Sequence, residues 1–542
     1  MTAEVRPALF VLMAAIGLLL AAATANVASL QLVRATARRR ELAVRSALGA
    51  AAGRLARLLL AETVILGVLG GTLGLLLAVV AQRSLPALLP AGFPRMDAVA
   101  IDVRVARFCA ALSLASGIGA GLLPALFVRR LHVGAVLAED GPTSVGAGRG
   151  GAARARNIIL AGQVAVATVL LLGALQLGRS FFAMLHAERG YDADRLLVVR
   201  LPMPEPAYTA QRREQLVSDL LERLRNLPGV AEAAGADILP MSGYWAVRAF
   251  TLTSPTGVVR QVNASVNHVS PGYFRALGRK VHEGRPLLDT DTATSPPVVV
   301  VNRTFARHYL DGHALGALVP GDGRQDGSTV VGVVDDLVQK SVKDEPQPEI
   351  LIAWSQSGGG LGFPEPSIVI RVAGDPAALA ANVRGLLQQL DPTLAPSALV
   401  PMQQLLSGSL AQPRLYAVLL ASFAVCAAVV MGVGLLGSLS YGVALRTREI
   451  GLRLALGARP VDVVLMIAAQ TLRIVGAGLA VGLAASLALG RTIAVLLYGV
   501  SEHDPLSFST VPFLVLMLAA CASVGPALRA ARMDPLRALR NG

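Results

Sequence analysis

Two short segments carry the same charged residues in the same order. Arg38, Arg40, Glu41, Arg45 and Gly49 lie in RRRELAVRSALGA, and Arg446, Arg448, Glu449, Arg453 and Gly457 lie in RTREIGLRLALGA. The hydroxyls of Ser46 and Thr447 have no histidine base in their segments, and no metal-ligand set is present, so the chemistry open to the segments is ionic and mechanical. Arg38, Glu41 and Arg45 stand at i, i+3 and i+7, which a helix gathers on one stripe. Glu41 precedes Arg45 by four residues, the favourable order for an intrahelical ion pair, and Glu449 precedes Arg453 in the same way. Val44, Ala47 and Leu48 are expected to face another way. Gly49 and Gly457 can stop the helix as left-handed caps. Such a helix between two membrane spans can lie at the interface with its arginines on lipid headgroups. It can also dock on a separate subunit as a coupling helix, and recurrence with the charges in register favours that role.

Other residues that could do chemistry lack the spacing it needs. Asp335 and Asp336 follow an apolar run, and paired carboxylates can act as acid and base, but a turn after a strand explains them as well. The seven histidines form no His-Glu-x-x-His pattern. Cys109, Cys426 and Cys521 each sit inside an apolar block, where a cysteine packs as a small apolar residue. Gly358, Gly359 and Gly360 have no phosphate-cradle context. A Walker A loop ends in Gly-Lys-Ser/Thr, yet Lys280, Lys340 and Lys343, the only lysines, each follow a residue other than glycine. No catalytic, cofactor or metal site is therefore expected. ATP-driven work would need a partner, and the chain is not expected to be an enzyme.

The elements that must position the two segments are membrane spans. Of the 542 residues, 54% are hydrophobic and only 15% charged, against about 25% charged in soluble domains. Blocks near the roughly 20 apolar residues that cross a bilayer occur over Ala8–Val33, Val64–Ala81, Phe108–Val128, Ile158–Leu177, Leu415–Tyr441, Ile474–Gly490 and Val511–Leu528. The net charge of +14 comes from arginines clustered beside these blocks, as the positive-inside rule requires. A nucleic-acid binder would instead place its basic patch on a soluble face. Arginines after the first, third, fifth and seventh spans fall on one side if the spans alternate. That side is expected to be cytoplasmic, with residues 179–413 outside.

The segments belong to a longer internal repeat. Eight of their thirteen positions are identical, and the register continues into the next span, where Gly70-x-x-x-Gly74 aligns with Gly478-x-x-x-Gly482. Small residues at that spacing let helices approach closely, so all four glycines are expected on packing faces. The copies run in the same direction, as two fused subunits would, whereas inverted repeats suggest a secondary carrier. Residues 140–156 read as a flexible linker between the halves.

Residues 179–413 read as one soluble α/β or α+β domain. Strands are expected at Leu196–Leu201, Val298–Val301, Thr329–Val334, Ile350–Trp354 and Ile368–Val372. Helices are expected at Tyr208–Leu227 and Pro376–Leu390.

Both charged segments, each followed by a glycine-rich span, resemble the FtsX-like domain of MacB-type ABC permeases. Arg459-Pro460 and Asp462-Val463 fit the same pattern. Val269–Gly278 (VSPGYFRALG), Val331–Asp336 (VGVVDD) and Pro346–Ile350 (PQPEI) resemble segments of the MacB periplasmic domain. The resemblance implies a polytopic α-helical membrane protein of about seven spans, with a large periplasmic domain between the fourth and fifth. Residues 1–139 would be a partial first FtsX-like domain and 157–178 the span opening the second repeat. Residues 179–413 would be the periplasmic core and 414–542 the second FtsX-like domain. A full unit has a span and a periplasmic domain ahead of its last three spans, so the first copy is expected to be incomplete, through truncation, a misassigned start or a gene remnant of a duplicated permease.

The family also implies mechanotransmission. ATP binding and hydrolysis on a dimeric cytoplasmic ABC ATPase would move the coupling helices of a bacterial inner-membrane subunit. The spans would pass that motion to a periplasmic domain acting on an exported substrate or an adaptor. The chain itself would bind no cofactor, ATP acting only through the partner. Its other partner would be the bilayer, and nucleic acid would play no part. The alternative is an FtsX-like signalling or scaffold protein that regulates a periplasmic partner such as a cell-wall hydrolase.

Overall fold

In the computed structural model the apolar blocks become long helices. The structure describes residues 2–38, 41, 44–45, 47–48, 50–88, 101–129, 149–187, 189–241, 247–253, 259–319, 327–339, 344–357, 365–445 and 447–531. Among them are seven helices long and apolar enough to cross a membrane: α1 (Thr2–Ala37), α2 (Ala52–Leu88), α3 (Val103–Arg129), α4 (Arg149–Leu185), α10 (Ala411–Leu445), α12 (Pro460–Ala494) and α13 (Pro505–Ala531). They belong to one unit, while residues 186–411 form a second.

Within the helical unit, α4 is the most enclosed span: half of its most apolar window is buried, against none for α2. Its residues Leu160, Val164, Ala167 and Leu170 pack in one apolar cluster with Ala424 and Met431 of α10, Val475 and Leu479 of α12, and Val515 of α13. α2 and α3 pack along each other, and α1 bridges α3 and α4. The α2–α3 crossing is close because it is made by glycines. A Cβ on Gly67 would come 2.8 Å from the Ser113 carbonyl, and one on Gly117 would come 3.0 Å from that of Thr63. Thr36 Oγ1 and Tyr441 OH are 2.6 Å apart, so a hydroxyl pair ties α1 of the first repeat to α10 of the second.

The second unit is built on a mixed sheet of eleven strands among the described residues. Its strands are β1 (Leu196–Arg200), β2 (Val230–Ala236), β3 (Val247–Thr253), β4 (Val259–Val269), β5 (Val281–Gly284), β6 (Val298–Asn302), β7 (Leu318–Val319), β8 (Ser328–Val334), β9 (Glu349–Ala353), β10 (Ser367–Val372) and β11 (Ala398–Pro401). The order is β11-β1-β10-β2-β4-β9-β6-β8-β5, with β3 paired to β4 and β7 to β8. Pairing is parallel between β4 and β9 and between β6 and β8, and antiparallel elsewhere.

Helices α5 (Ala210–Arg225) and α8 (Pro376–Leu390) cover one end of the sheet. Each starts on a side-chain cap: Thr209 accepts from the Arg212 amide, and Asp375 accepts from the Ala377 amide ahead of Pro376. Their apolar stripes pack on Leu197, Val199, Ile368 and Ile370. A second core gathers Val299, Val301, Val330 and Ile350 around Phe305 of α7 (Arg303–Tyr309). The two halves of the sheet meet where β2 pairs with β4 through a single register pair, Ala236 with Val269. Polar groups reinforce that narrow join. Asp237 holds His268 Nδ1 at 2.8 Å and accepts from the Trp354 indole at 3.1 Å.

Candidate coupling helices

The second charged segment forms the short helix α11 (Thr447–Ala455). Ile450 is buried and Leu454 packs beside it, against Leu439 and Val443 of α10, Val463 and Ile467 of α12, and Ala527 and Ala530 of α13. The opposite face is charged: Glu449 and Arg453 pair at 2.7 Å with both side chains about half exposed. The Arg453 guanidinium also lies 2.9 Å from Met466 Sδ. Gly457 ends the helix at φ +97, where a Cβ would be strained. Its amide bonds the Leu454 carbonyl, and the Ala458 amide reaches back to Arg453 O at 3.0 Å. The Asp462 carboxylate then accepts from the Arg459 amide and starts α12.

The first segment repeats these features where it is described. Residues 41, 44, 45 and 47 are helical. Glu41 and Arg45 pair at 2.6 Å, and the Ala50 amide bonds Arg45 O at 3.0 Å, the counterpart of the Ala458 bond. Arg38 stands 3.8 Å from Glu62 on α2. Arg40, Gly49 and Arg446 lie outside the described residues, and for Arg448 only the backbone, within α11, is described. One expectation is corrected: Leu48 does not face away from the charged stripe. Seven residues after Glu41 the helix has turned almost twice, which returns Leu48 to the side of Glu41 and Arg45.

Around the two segments the repeat is not uniform. Arg45, Leu48, Arg54, Leu55 and Arg57 line a concavity of about 680 Å³ beside the first. The residues aligned with Arg54 and Arg57 are Asp462 and Leu465, and Arg459 stands where the first copy has Ala51, so three arginines at the first site stand against two arginines and one aspartate at the second.

The four repeat glycines also sit differently. A Cβ on Gly478 would come 2.5 Å from the Ala161 carbonyl, and one on Gly482 would come 2.8 Å from that of Ala165, so this pair lies flat on α4. A Cβ on Gly70 or Gly74 would meet nothing within 4 Å. The close crossing of α2 uses Gly67 instead, with Gly71 one turn on against the Ser113 side chain.

In the second unit the three segments that resemble the MacB periplasmic domain converge on Arg279, a residue the sequence does not single out. Arg279 follows directly on Val269–Gly278. Its Nε donates to the Asp335 carbonyl at 2.6 Å, and Nη2 pairs with Glu349 at 2.7 Å. Both side chains are buried, at 0% and 1% exposure, which makes this a desolvated ion pair. Burial pushes the neighbouring Tyr273 hydroxyl well above the usual tyrosine range, with the Glu349 carboxylate adding to it. Asp335 and Asp336 are also engaged structurally. Asp335 pairs with Arg303 at 2.7 Å and contacts His282. Asp336 caps the Thr304 amide at 2.9 Å and reaches Arg307 at 3.2 Å. Among the described residues no three His, Cys, Asp or Glu side chains are grouped to hold a metal ion.

Comparison with known proteins matches most of these elements. A family model described as the FtsX-like permease C-terminal region matches residues 13–133 and 421–535. One described as the MacB-like periplasmic core domain matches residues 159–389. The macrolide export ATP-binding/permease protein MacB of Chromobacterium violaceum is 31% identical over 299 residues, covering 51% of this chain and 43% of that protein. The protein of the same name from Hahella chejuensis is 27% identical over 307 residues, with the same coverage. The chain thus spans less than half the length of these relatives. Among solved structures, the periplasmic region of MacB from Actinobacillus actinomycetemcomitans matches 38% of this chain and 88% of its own, at 16% identity and a TM-score of 0.27. The extracellular domain of the ABC-type transporter YknZ from Gram-positive bacteria matches 37% of this chain and 100% of its own, at 15% identity and a TM-score of 0.26.

Proposed function

As this chain belongs to the family of FtsX-like permeases that carry a MacB-like periplasmic core domain, we propose that it is the membrane subunit of an ABC transporter, driven by ATP hydrolysis on a separate cytoplasmic subunit. The observation that carries this reading is the duplicated helix. Glu41–Arg45 and Glu449–Arg453 make the same ion pair, followed by the same backbone bond closing the turn, at equivalent places in two permease repeats. A surface pair of this kind adds only about 0.3–0.5 kcal/mol to stability, so its recurrence points to recognition. The lack of any Gly-Lys step in the chain supports placing hydrolysis elsewhere.

In this reading both helices face the cytoplasm and receive force from an ATPase dimer, one helix per subunit. The force passes along α4 and α10, the two spans continuous in sequence with residues 186–411. Those residues act in the periplasm on an exported substrate, by efflux or lipoprotein release. Glu41→Ala together with Glu449→Ala should abolish co-purification of the ATPase while leaving the chain folded. Cysteines placed at positions 41 and 449 should react only with reagent admitted to the cytoplasmic side. Modification of the two from opposite sides of the membrane would sink the proposal.

A further inference from the structure

We infer that Leu48 and Leu456 are paired apolar knobs that enter matching pockets on the ATPase, beside the charged pairs. This deepens the coupling reading and rests on it. The two leucines occupy the same position in the two repeats, and they are 83% and 80% exposed, the most exposed large apolar side chains among the described residues. Each belongs to the last turn of its helix, through the Leu48 amide to Val44 O and the Leu456 amide to Leu452 O, both 3.0 Å.

Their placement tells a protein partner from a lipid one. Glu41, Arg45 and Leu48 fall within about 60° of one another around the helix, as do Glu449, Arg453 and Leu456. Leu456 therefore lies on the charged side of α11, across from Ile450 and Leu454, which the bundle already buries. An interfacial helix puts its leucines on one face and its charges on the other. Here the leucine sits among the charges, and each stripe also carries a glutamate, which anionic headgroups repel. An apolar anchor ringed by polar groups is instead the layout of a protein–protein hot spot.

Charge sets the character of each pocket. Leu48 is flanked by Arg45, Arg54 and Arg57, which fit a pocket with an acidic rim. At the positions aligned around Leu456 stand Arg453, Asp462 for Arg54, Leu465 for Arg57 and Arg459 for Ala51, a smaller net positive charge that fits a less acidic one. Salt should therefore weaken the first contact more than the second.

The test uses the full chain, purified by affinity tag from its host membrane, with co-purifying proteins photolabelled by azido-ATP. We expect a labelled subunit with the wild type, its affinity falling roughly tenfold or more in Leu48→Asp or Leu456→Asp and little in the Leu→Met variants. The side chains are exposed, so the substitutions leave the fold intact. A labelled subunit held equally well after both replacements overturns the knobs and leaves the coupling reading standing. If wild type retains no labelled subunit, both are overturned. A bimane at position 48 or 456, with Cys109, Cys426 and Cys521 replaced by alanine, reports on the lipid alternative in vesicles of phosphatidylglycerol and phosphatidylcholine lacking any ATPase. Water-exposed emission is expected there, and blue-shifted emission would place the leucines in the bilayer and overturn the inference.

Discussion

Arg279 has its two partners 56 and 70 residues away in sequence, which is why no local pattern exposes it. Removing one partner leaves a buried charge uncompensated. Glu349→Ala should therefore lower the stability of the second unit by about 3–5 kcal/mol, read as a fall in the thermal midpoint of the purified chain. The joint replacement Arg279→Met with Glu349→Leu should cost clearly less than either single change, because it removes both charges together. Asp391 makes a second residue-scale prediction. Hydrogen bonds from the Thr393 hydroxyl and amide, with smaller contributions from Tyr208 and Arg212, hold its carboxyl below the usual range. A carboxyl depressed in the folded state stabilises fully above its unfolded value, near 4, and loses that contribution as pH falls through the folded value. Asp391→Asn should thus melt below wild type at neutral pH, and the gap should close in acid.

At the scale of elements, legibility tracked local pattern. β6 and β8, runs of valine, and the amphipathic helices α5 and α8 stand where composition and periodicity put them. β2 and β4 escaped. Val230–Ala236 is mostly alanine and glycine, and Val259–Val269 spaces its valines at 259, 262, 266 and 269, a helical period rather than a strand's alternation. Neither has strong strand propensity, and both are strands because of the neighbours they pair with. The join between them leaves little room: a Cβ on Gly235 would press into the Trp354 ring. Among the spans, Gly482→Leu should lower the thermal midpoint, because the added side chain meets the α4 backbone, an overpacking of about 1–3 kcal/mol. The equivalent Gly74→Leu should be nearly neutral. The cap of α11 is testable too. Gly457→Ala puts a Cβ on a left-handed residue at a cost of about 1–2 kcal/mol, and hydrogen exchange at the Ala458 amide should quicken accordingly.

Across the whole molecule, the seven spans and the internal repeat were legible because bilayer thickness and arginine bias leave strong marks in composition. The difference between the two repeats was not legible, since identical glycine spacing gives close packing in one half and an open face in the other. Contact between the halves was also hidden, because it joins α1 to α4 and α10, which lie far away in sequence. Tyr441→Phe removes the bond to Thr36 and should destabilise the helical unit by about 0.5–1.5 kcal/mol, measured by the same melt.

Because both charged helices are encoded in one reading frame, heredity can treat them separately. A symmetric dimer inherits every mutation twice, so a change that harms one docking site harms both. Here an allele can alter Leu48 and spare Leu456. Selection could thus tune one grip while the other keeps its hold, and the unlike residues at Arg54 and Asp462 are the kind of divergence that such freedom allows.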